Sequence, residues 1–322
     1  MRGPALAALL ALAAALPAQS AFAAAIASPD SGATGAPPPP PAASRAVMAQ
    51  MPAHPALWLV HGAKGTAYLF GSFHALPPNV DWRTKEIDAA TTKADAFVFE
   101  ISLDDAVKER LQSYVKQRGF LAEGKHLHDM LSPAAATQLD SEVKAFAIDP
   151  AAIDRMRPWL ALVVIDAAAI RKQNYTPKDG IEVQLEAEAR NEGRPIIALE
   201  TPEQQLAMLV PDDPRAEVEQ FESELLNDKD ERGAGDELGP LLDAWMKGNV
   251  ARLGKLTGRE FAPFPEARRH LIDERNRHFA DRIAALLGEP KTYFVTVGAA
   301  HLVGPLGVPK LLRDKGFRVE GP

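Results

Sequence analysis

Tyr68-Leu69-Phe70-Gly71-Ser72-Phe73-His74 reads as a short buried strand that runs into a glycine turn and ends on a histidine. Far downstream the pattern recurs as Tyr293-Phe294-Val295-Thr296-Val297-Gly298-Ala299-Ala300-His301. Each is an apolar run rich in β-branched or aromatic residues, followed by Gly-x-x-His. Small residues after the strand let the backbone turn sharply and carry the imidazole over the strand's C-terminal edge. In open α/β sheets ligands bind at that edge. Two histidines delivered this way, from opposite ends of one domain, can converge on one metal or one substrate.

Outward from these two stretches, strands alternate with helices. Leu57–Val60 and Thr66–Gly71 are joined by the hairpin-type turn Gly62-Ala63-Lys64-Gly65, so the front pair is antiparallel. Ala96–Ile101 and Pro195–Glu200 are further strands that each carry a glutamate at the C-terminal end. Helices are expected over 84–93, 104–117, 132–146, 160–170, 182–191 and 241–256. Ser132-Pro133 is an N-cap with proline at the first helical position, and Thr201-Pro202-Glu203-Gln204 reads as a capping box. One long helix is expected over 265–287, and a last helix and an edge strand close the chain. The stretch 211–239, charged and poor in apolar residues, reads as a flexible, lid-like excursion. The fold class is therefore α/β (α+β): a mixed central sheet flanked by helices, with a helical insertion.

Composition narrows the function. The 322 residues carry a net charge of −7 and no cysteine. An acidic chain with no basic run argues against nucleic-acid binding. The lack of cysteine excludes disulfides, thiolate nucleophiles and Cys-zinc sites. Arg2, the apolar run Pro4–Leu16 and Ala21-Phe22-Ala23 have the form of a secretory signal peptide over 1–23. The Pro/Ala-rich segment 24–54, with five consecutive prolines from Pro37 to Pro41, cannot bury enough apolar surface to fold and reads as a linker. The catalytic domain then occupies 55–322. The expected product is secreted, periplasmic in a Gram-negative cell, with no membrane span after signal cleavage.

Four strand ends carry His74, Glu100, Glu200 and His301. Neutral imidazole and carboxylate are the usual ligands for a divalent ion when cysteine is absent. Two histidines and a glutamate with an open position suit hydrolysis, because the ion lowers the pKa of bound water and polarises a carbonyl. His74, Glu100 and His301 are the metal candidates, for Mn, Co or Zn. Glu100 is either a ligand or the general base, and Glu200 is a second candidate base. On the long helix, Asn276 falls on the apolar stripe of Ile272, Phe279, Ile283 and Leu286, with Arg275 beside it. Polar groups facing inward need partners. Both suit stabilisation of an oxyanion or anchoring of a substrate carboxylate. His126-x-His128 precedes a helix and reads as a solvated loop. There is no Gly-x-Ser-x-Gly elbow, P-loop or His-Glu-x-x-His.

Leu57-Trp58, Tyr68–His74, Phe97–Glu100, Leu199-Glu200-Thr201, Arg275-Asn276 and Val297–Gly304, in that order, resemble the TraB/GumN family across the whole mature domain. That family is similar to the Tiki metalloproteases and, more remotely, to erythromycin esterase-like and ChaN-like proteins. The resemblance implies a metal-supported or His/Glu-based hydrolytic site with His74, Glu100 and His301 in the core roles and Arg275 and Asn276 beside them. Gly180-Ile181-Glu182 departs from it, with glutamate where the family leads one to expect aspartate. The expected activity is that of an exported metal-dependent peptidase acting on a peptide or small secreted protein. The alternative is a non-catalytic protein that binds peptide or serves envelope polysaccharide. The common site requires His74 and His301 to be neighbours, and a separation above about 10 Å would rule out one ion bridging them.

Overall fold

The computed structural model describes residues 53–210, 213–227 and 238–322. The expected signal peptide and most of the linker lie outside these residues, as do parts of the charged excursion. Six strands form one mixed sheet: β1 (Leu57–His61), β2 (Thr66–Ser72), β3 (Ala96–Phe99), β4 (Ile196–Ala198), β5 (Thr292–Gly298) and β6 (Arg318–Glu320). Their order is β4-β3-β5-β2-β1-β6. β4, β3, β5 and β2 run parallel, and β1 is antiparallel to both of its neighbours. The Gly62–Gly65 turn closes the front hairpin, with the Gly62 N–H donating to the Gly65 carbonyl at 2.8 Å.

Period-two alternation sends each strand's side chains to two cores. Phe70, Phe97, Phe99 and Phe294 face one side, where Phe70 stacks on Trp82 at 5.5 Å and meets Phe294 at 5.8 Å. That face is covered by α1 (Lys85–Lys93) and other helices introduced below. Leu69, Val98, Val295 and Val297 face the other side, where Phe279, Ile283 and Leu312 pack. Each central strand is buried on both faces, as the near-continuous apolar runs require.

Between β3 and β4 the chain leaves the sheet. α2 (Asp105–Arg118), α3 (Pro133–Ala145) and α4 (Pro158–Lys172) form a helical insertion with its own core, including Leu111, Leu139, Leu160 and Val164. Asp104, Ser132 and Thr84 cap their helices with side-chain oxygens. α5 (Ile181–Asn191) returns the chain to β4, and the Thr201/Gln204 capping box opens α6 (Pro202–Leu209).

Three expectations need correction. The described part of the charged excursion is a helix, α7 (Pro214–Asn227), that buries Phe221 and Leu225 in the insertion core. Its Glu217 is buried against the Arg157 guanidinium, so the charge that suggested an open loop is partly internal. The expected helix over 241–256 is two, α8 (Leu238–Met246) and α9 (Val250–Glu260). Gly248 at φ 61° breaks it, and Asn249 caps the second piece by accepting from the Arg252 N–H at 3.0 Å. The long helix opens with Pro265–Arg268, passes through a π turn at Arg269–Glu274 and continues as α10 (Arg275–Leu286). α8 and α9 join α1 and α5 on the aromatic face; α10 and α11 (Val308–Asp314) cover the other. Among the described residues no helix is long and apolar enough to cross a membrane.

The His126-x-His128 segment is exposed at His126, half-buried at His128 and buried at Leu127, and it is tied down. His128 Nδ1 lies 2.8 Å from Asp154 and Nε2 2.9 Å from Asp140, while His126 Nδ1 lies 2.7 Å from the other Asp154 oxygen. An imidazole with carboxylates on both nitrogens is satisfied only when doubly protonated. Burial would lower the His128 pKa, but Asp154 and Asp140 together raise it above the ordinary 6.5. Burial would likewise raise Asp154, but hydrogen bonds from His128 and His126 hold it below the ordinary 3.8. The clasp is therefore complete between these ordinary values, weakens as pH rises through the raised His128 pKa, and is lost as pH falls through the depressed Asp154 pKa. Its contribution is small because the group is half exposed. Urea midpoints across pH should show a modest fall above 6.5 that disappears in His128→Asn.

Candidate active site

The register of the two Gly-x-x-His strands decides the site. β2 pairs with β5 in parallel, Thr66 opposite Thr292 and Ser72 opposite Gly298, so both chains reach their glycine turns on the same edge. His74 lies just past β2, and His301 sits in the short 3-10 turn Ala299–Leu302 after β5. The turns touch. A Cβ at Gly71 would stand 3.0 Å from the Ala299 Cα, tighter than Cβ contacts ordinarily are, so glycine eases the close approach of the two backbones.

Gly298 marks the centre. A Cβ placed there would lie 3.4 Å from His74 Nε2, 3.4 Å from His301 Cδ2 and 3.3 Å from Glu100 Oε1. The two rings are thus no farther apart at these atoms than twice the first distance. Glu100 follows β3, and its Oε1 accepts the Gly298 N–H at 2.7 Å. The β3–β4 ladder runs on past the strand ends, with the Glu200 N–H donating to the Glu100 carbonyl at 2.8 Å. That pairing sets two buried carboxylates side by side.

Arg275 answers them. Its Nε donates to Glu200 Oε1 at 2.9 Å, and its Nη2 to Glu200 Oε2 at 2.8 Å and Glu100 Oε2 at 2.5 Å. Nη1 reaches the Leu271 carbonyl at 3.3 Å and His301 Nε2 at 3.2 Å. Burial would raise the Glu100 carboxyl, but Arg275 first, with the His74 charge and the Gly298 N–H, holds it well below the usual carboxylate range. Burial would lower the Arg275 pKa, and the two glutamates instead raise it further.

The two histidines are held differently. His301 places Nδ1 2.6 Å from Asn276 Oδ1, and Asn276 Nδ2 donates to the Leu306 carbonyl at 2.8 Å. Burial first, then the Arg275 and His74 charges, push His301 down to about 3 against the pull of Glu100. It is neutral, with the proton on Nδ1 and a lone pair on Nε2 that meets Arg275. His74 places Nδ1 2.7 Å from Glu182 Oε1. Burial lowers its pKa, but Glu182 first and Glu100 next outweigh that and raise it to about 8. His74 is thus an imidazolium at neutral pH. Ser72 Oγ donates to the same Glu182 oxygen. Glu182 arrives here because the Ile181 N–H, at the start of α5, donates to the Phe73 carbonyl at 3.1 Å.

His74, Glu100, Glu182 and Gln205 line a small cleft with Ile101 and Leu103. Gln205 Nε2 lies 3.4 Å from Glu100 Oε2. The six residues singled out in the sequence are therefore brought together, with Glu200, Arg275 and Asn276 behind the cleft and His301 between. Ser72 and Gln205 were missed, and Glu182 entered only through the resemblance. Ser72, the last residue of β2, stands two residues before His74, a spacing that could have pointed to a shared partner.

Among the described residues no three His, Asp or Glu side chains are placed to hold a metal ion. The donor types nevertheless suit one. Each imidazole has Nδ1 fixed by a side-chain acceptor, the usual support for a ligating histidine; His74 Nε2 faces Gly298, while His301 Nε2 meets Arg275 Nη1.

A parallel-edge site of two histidines and a carboxylate, braced by a buried arginine, defines an α/β protein with a charged cleft at the sheet's C-terminal end. The chain belongs to the TraB/PrgY/gumN family, whose model matches residues 56–321. It is similar to the uncharacterized protein YbaP of Shigella flexneri, 24% identical over 274 residues, covering 80% of this chain and 92% of that protein. It is also similar to YbaP of Escherichia coli K12, 25% identical over 261 residues, covering 76% of this chain and 87% of that protein. No solved structure gives a significant match.

Removing the cation from this cluster should cost more than removing a histidine. Arg275→Met leaves two buried carboxylates unpaired, a loss on the order of 3–5 kcal/mol. Urea unfolding should show a much larger midpoint shift for Arg275→Met than for His74→Ala, whose side chain borders the cleft.

Proposed function

We propose that the protein is an exported hydrolase that cleaves peptide bonds at the cleft lined by His74 and Glu100, with His301 buried beside them. The observation that supports this reading is the meeting of both histidines and Glu100 around Gly298. A divalent ion is the proposed cofactor: His74, His301 and Glu100 would hold it, and it would supply Lewis-acid polarisation of the carbonyl and a lowered pKa for water. On becoming ligands His74 gives up its proton and His301 gives up the Arg275 hydrogen bond at Nε2.

The remaining work falls to the chain's own groups. Glu100 is kept ionised by Arg275 and Gly298, so it can accept a proton from water or bind a cation. Arg275 has every nitrogen engaged, and both ends of Asn276 are spent on His301 and Leu306. Their proposed part is positioning: Asn276 fixes the His301 tautomer, and Arg275 fixes the two carboxylates. Glu200 faces Arg275 and is likewise a positioning residue. Glu182 orients His74. Ile101, Leu103 and Val183 give the cleft an apolar wall, which suits an uncharged side chain of the substrate.

His74→Ala, His301→Ala and Glu100→Gln should each lower hydrolysis of a peptide library by at least about a hundredfold. A chelator should abolish it in the wild type and a divalent ion restore it. Full activity in all three variants would sink the proposal at this site. Gly298→Ala should also impair turnover, because its Cβ enters the space among the three side chains. Circular dichroism would show whether the fold survives that change.

A further inference from the structure

Behind Asn276, away from the cleft, lies a second and larger cavity of about 260 Å³. The two share no lining residue. Its walls are α9, the π turn and the loop around Gly304–Leu306.

Three features of this cavity bear on a ligand. The first is space left at a cost. Gly254 and Gly258 lie one turn apart on α9, and glycine in a helix interior costs roughly 1 kcal/mol relative to alanine. A Cβ at Gly258 would meet nothing nearer than Arg268 Nη1 at 4.0 Å. Neither crowding nor backbone conformation demands glycine there, and a larger residue would project into the cavity.

The second is a free cationic fork. Arg268 Nη1 lies over Gly258, and its Nη2 lies 3.9 Å from a Cβ placed at Gly304. Among the described residues only its Nε has a charged neighbour, Asp273 Oδ1 at 3.6 Å, too long for a hydrogen bond. Among the described residues neither terminal nitrogen has a hydrogen-bond partner. Such a fork matches a carboxylate through two parallel hydrogen bonds.

The third is an unmet acceptor. Asp273 Oδ1 is buried and receives no hydrogen bond. A buried carboxylate oxygen without a donor is costly. Arg268 calls for an acceptor pair and Asp273 for an N–H. A donor-free anion would satisfy the first and be repelled by the second.

We propose that this cavity binds a small ligand carrying a carboxylate and a neighbouring N–H: the carboxylate on Arg268 and the N–H on Asp273. A free amino acid and the C-terminal residue of a peptide share that chemistry, and the volume accommodates either. The cavity is lined by Asn276 and Leu306, whose hydrogen bond supports the His301 tautomer, so occupancy adjoins the cleft without entering it. The proposal does not depend on hydrolysis, and binding tests it directly.

Isothermal titration of the full chain uses alanine, N-acetylalanine, N-acetylalaninamide and sulfate as probes. Alanine or N-acetylalanine should bind with one site per chain; tighter alanine marks a free amino acid, and tighter N-acetylalanine marks a peptide end. N-acetylalaninamide and sulfate should bind at least about tenfold more weakly than the better of these, for want of the carboxylate and of the donor respectively. Arg268→Gln should weaken binding by about tenfold. Gly258→Leu should abolish it while leaving the urea midpoint unchanged or higher, because leucine favours the helix. No binding of either carboxylate probe, sulfate binding as tight as theirs, or binding undiminished in Gly258→Leu would overturn the proposal.

Discussion

The pairing of Arg275 with Glu100 and Glu200 is the constraint on which the edge of this sheet depends. Continuing the β3–β4 ladder by one step sets two glutamates next to each other out of water. Like charges so placed repel, and burial penalises each one. A single guanidinium with its nitrogens spread over both carboxylates resolves this, as a compact ammonium could not. The same guanidinium then reaches His301 Nε2, so the charge balance of the carboxylates and the protonation of a histidine are coupled through one side chain.

That arrangement sets demands on the rest of the fold. Arg275 must enter from outside the sheet at the height of the strand ends. It stands at the point where the π turn gives way to α10. A wider turn changes which residues of a helix face inward, and π turns recur at functional sites for that reason. Here Arg275 and Asn276 both turn toward the strand ends, while Asp273, two residues before Arg275, lines the cavity behind. The helix holds its place because Phe279 and Ile283 are buried on the valine-rich face of the sheet.

Much of this was legible in the sequence because it follows from local rules. Apolar runs ending in Gly-x-x-His, or in glutamate, announce parallel strands with chemistry at one edge. Arg275 and Asn276 stood out because polar residues on an apolar stripe must have partners. What stayed hidden depends on neighbours far along the chain. The Gly248-Asn249 break between α8 and α9 was masked by apolar residues spaced alike on both sides. α7 was masked by its charge, although Glu217 spends its charge on Arg157 inside the insertion. The π turn leaves no mark in a periodicity of apolar residues. Glu182 looked like an ordinary first-turn acid, and the backbone ties of Ile181 to Phe73 and of Thr176 to Leu76 put it beside His74.

Two histidines that look alike in sequence thereby acquire opposite characters. Both are heavily buried, and burial alone would leave both neutral. The difference is the group on Nδ1. For His74 it is a carboxylate, which favours the charged ring and outweighs burial. For His301 it is the Asn276 amide oxygen, which holds the proton on Nδ1 but brings no charge, and Arg275 opposes a second positive charge nearby. One edge thus sets a proton-bearing ring and a lone-pair-bearing ring around a single glycine. Pairs of titratable groups whose surroundings drive their pKa values apart are what acid and base roles require. Glu182 and Asn276, which sit behind the rings, are therefore as decisive for the character of this site as the histidines themselves.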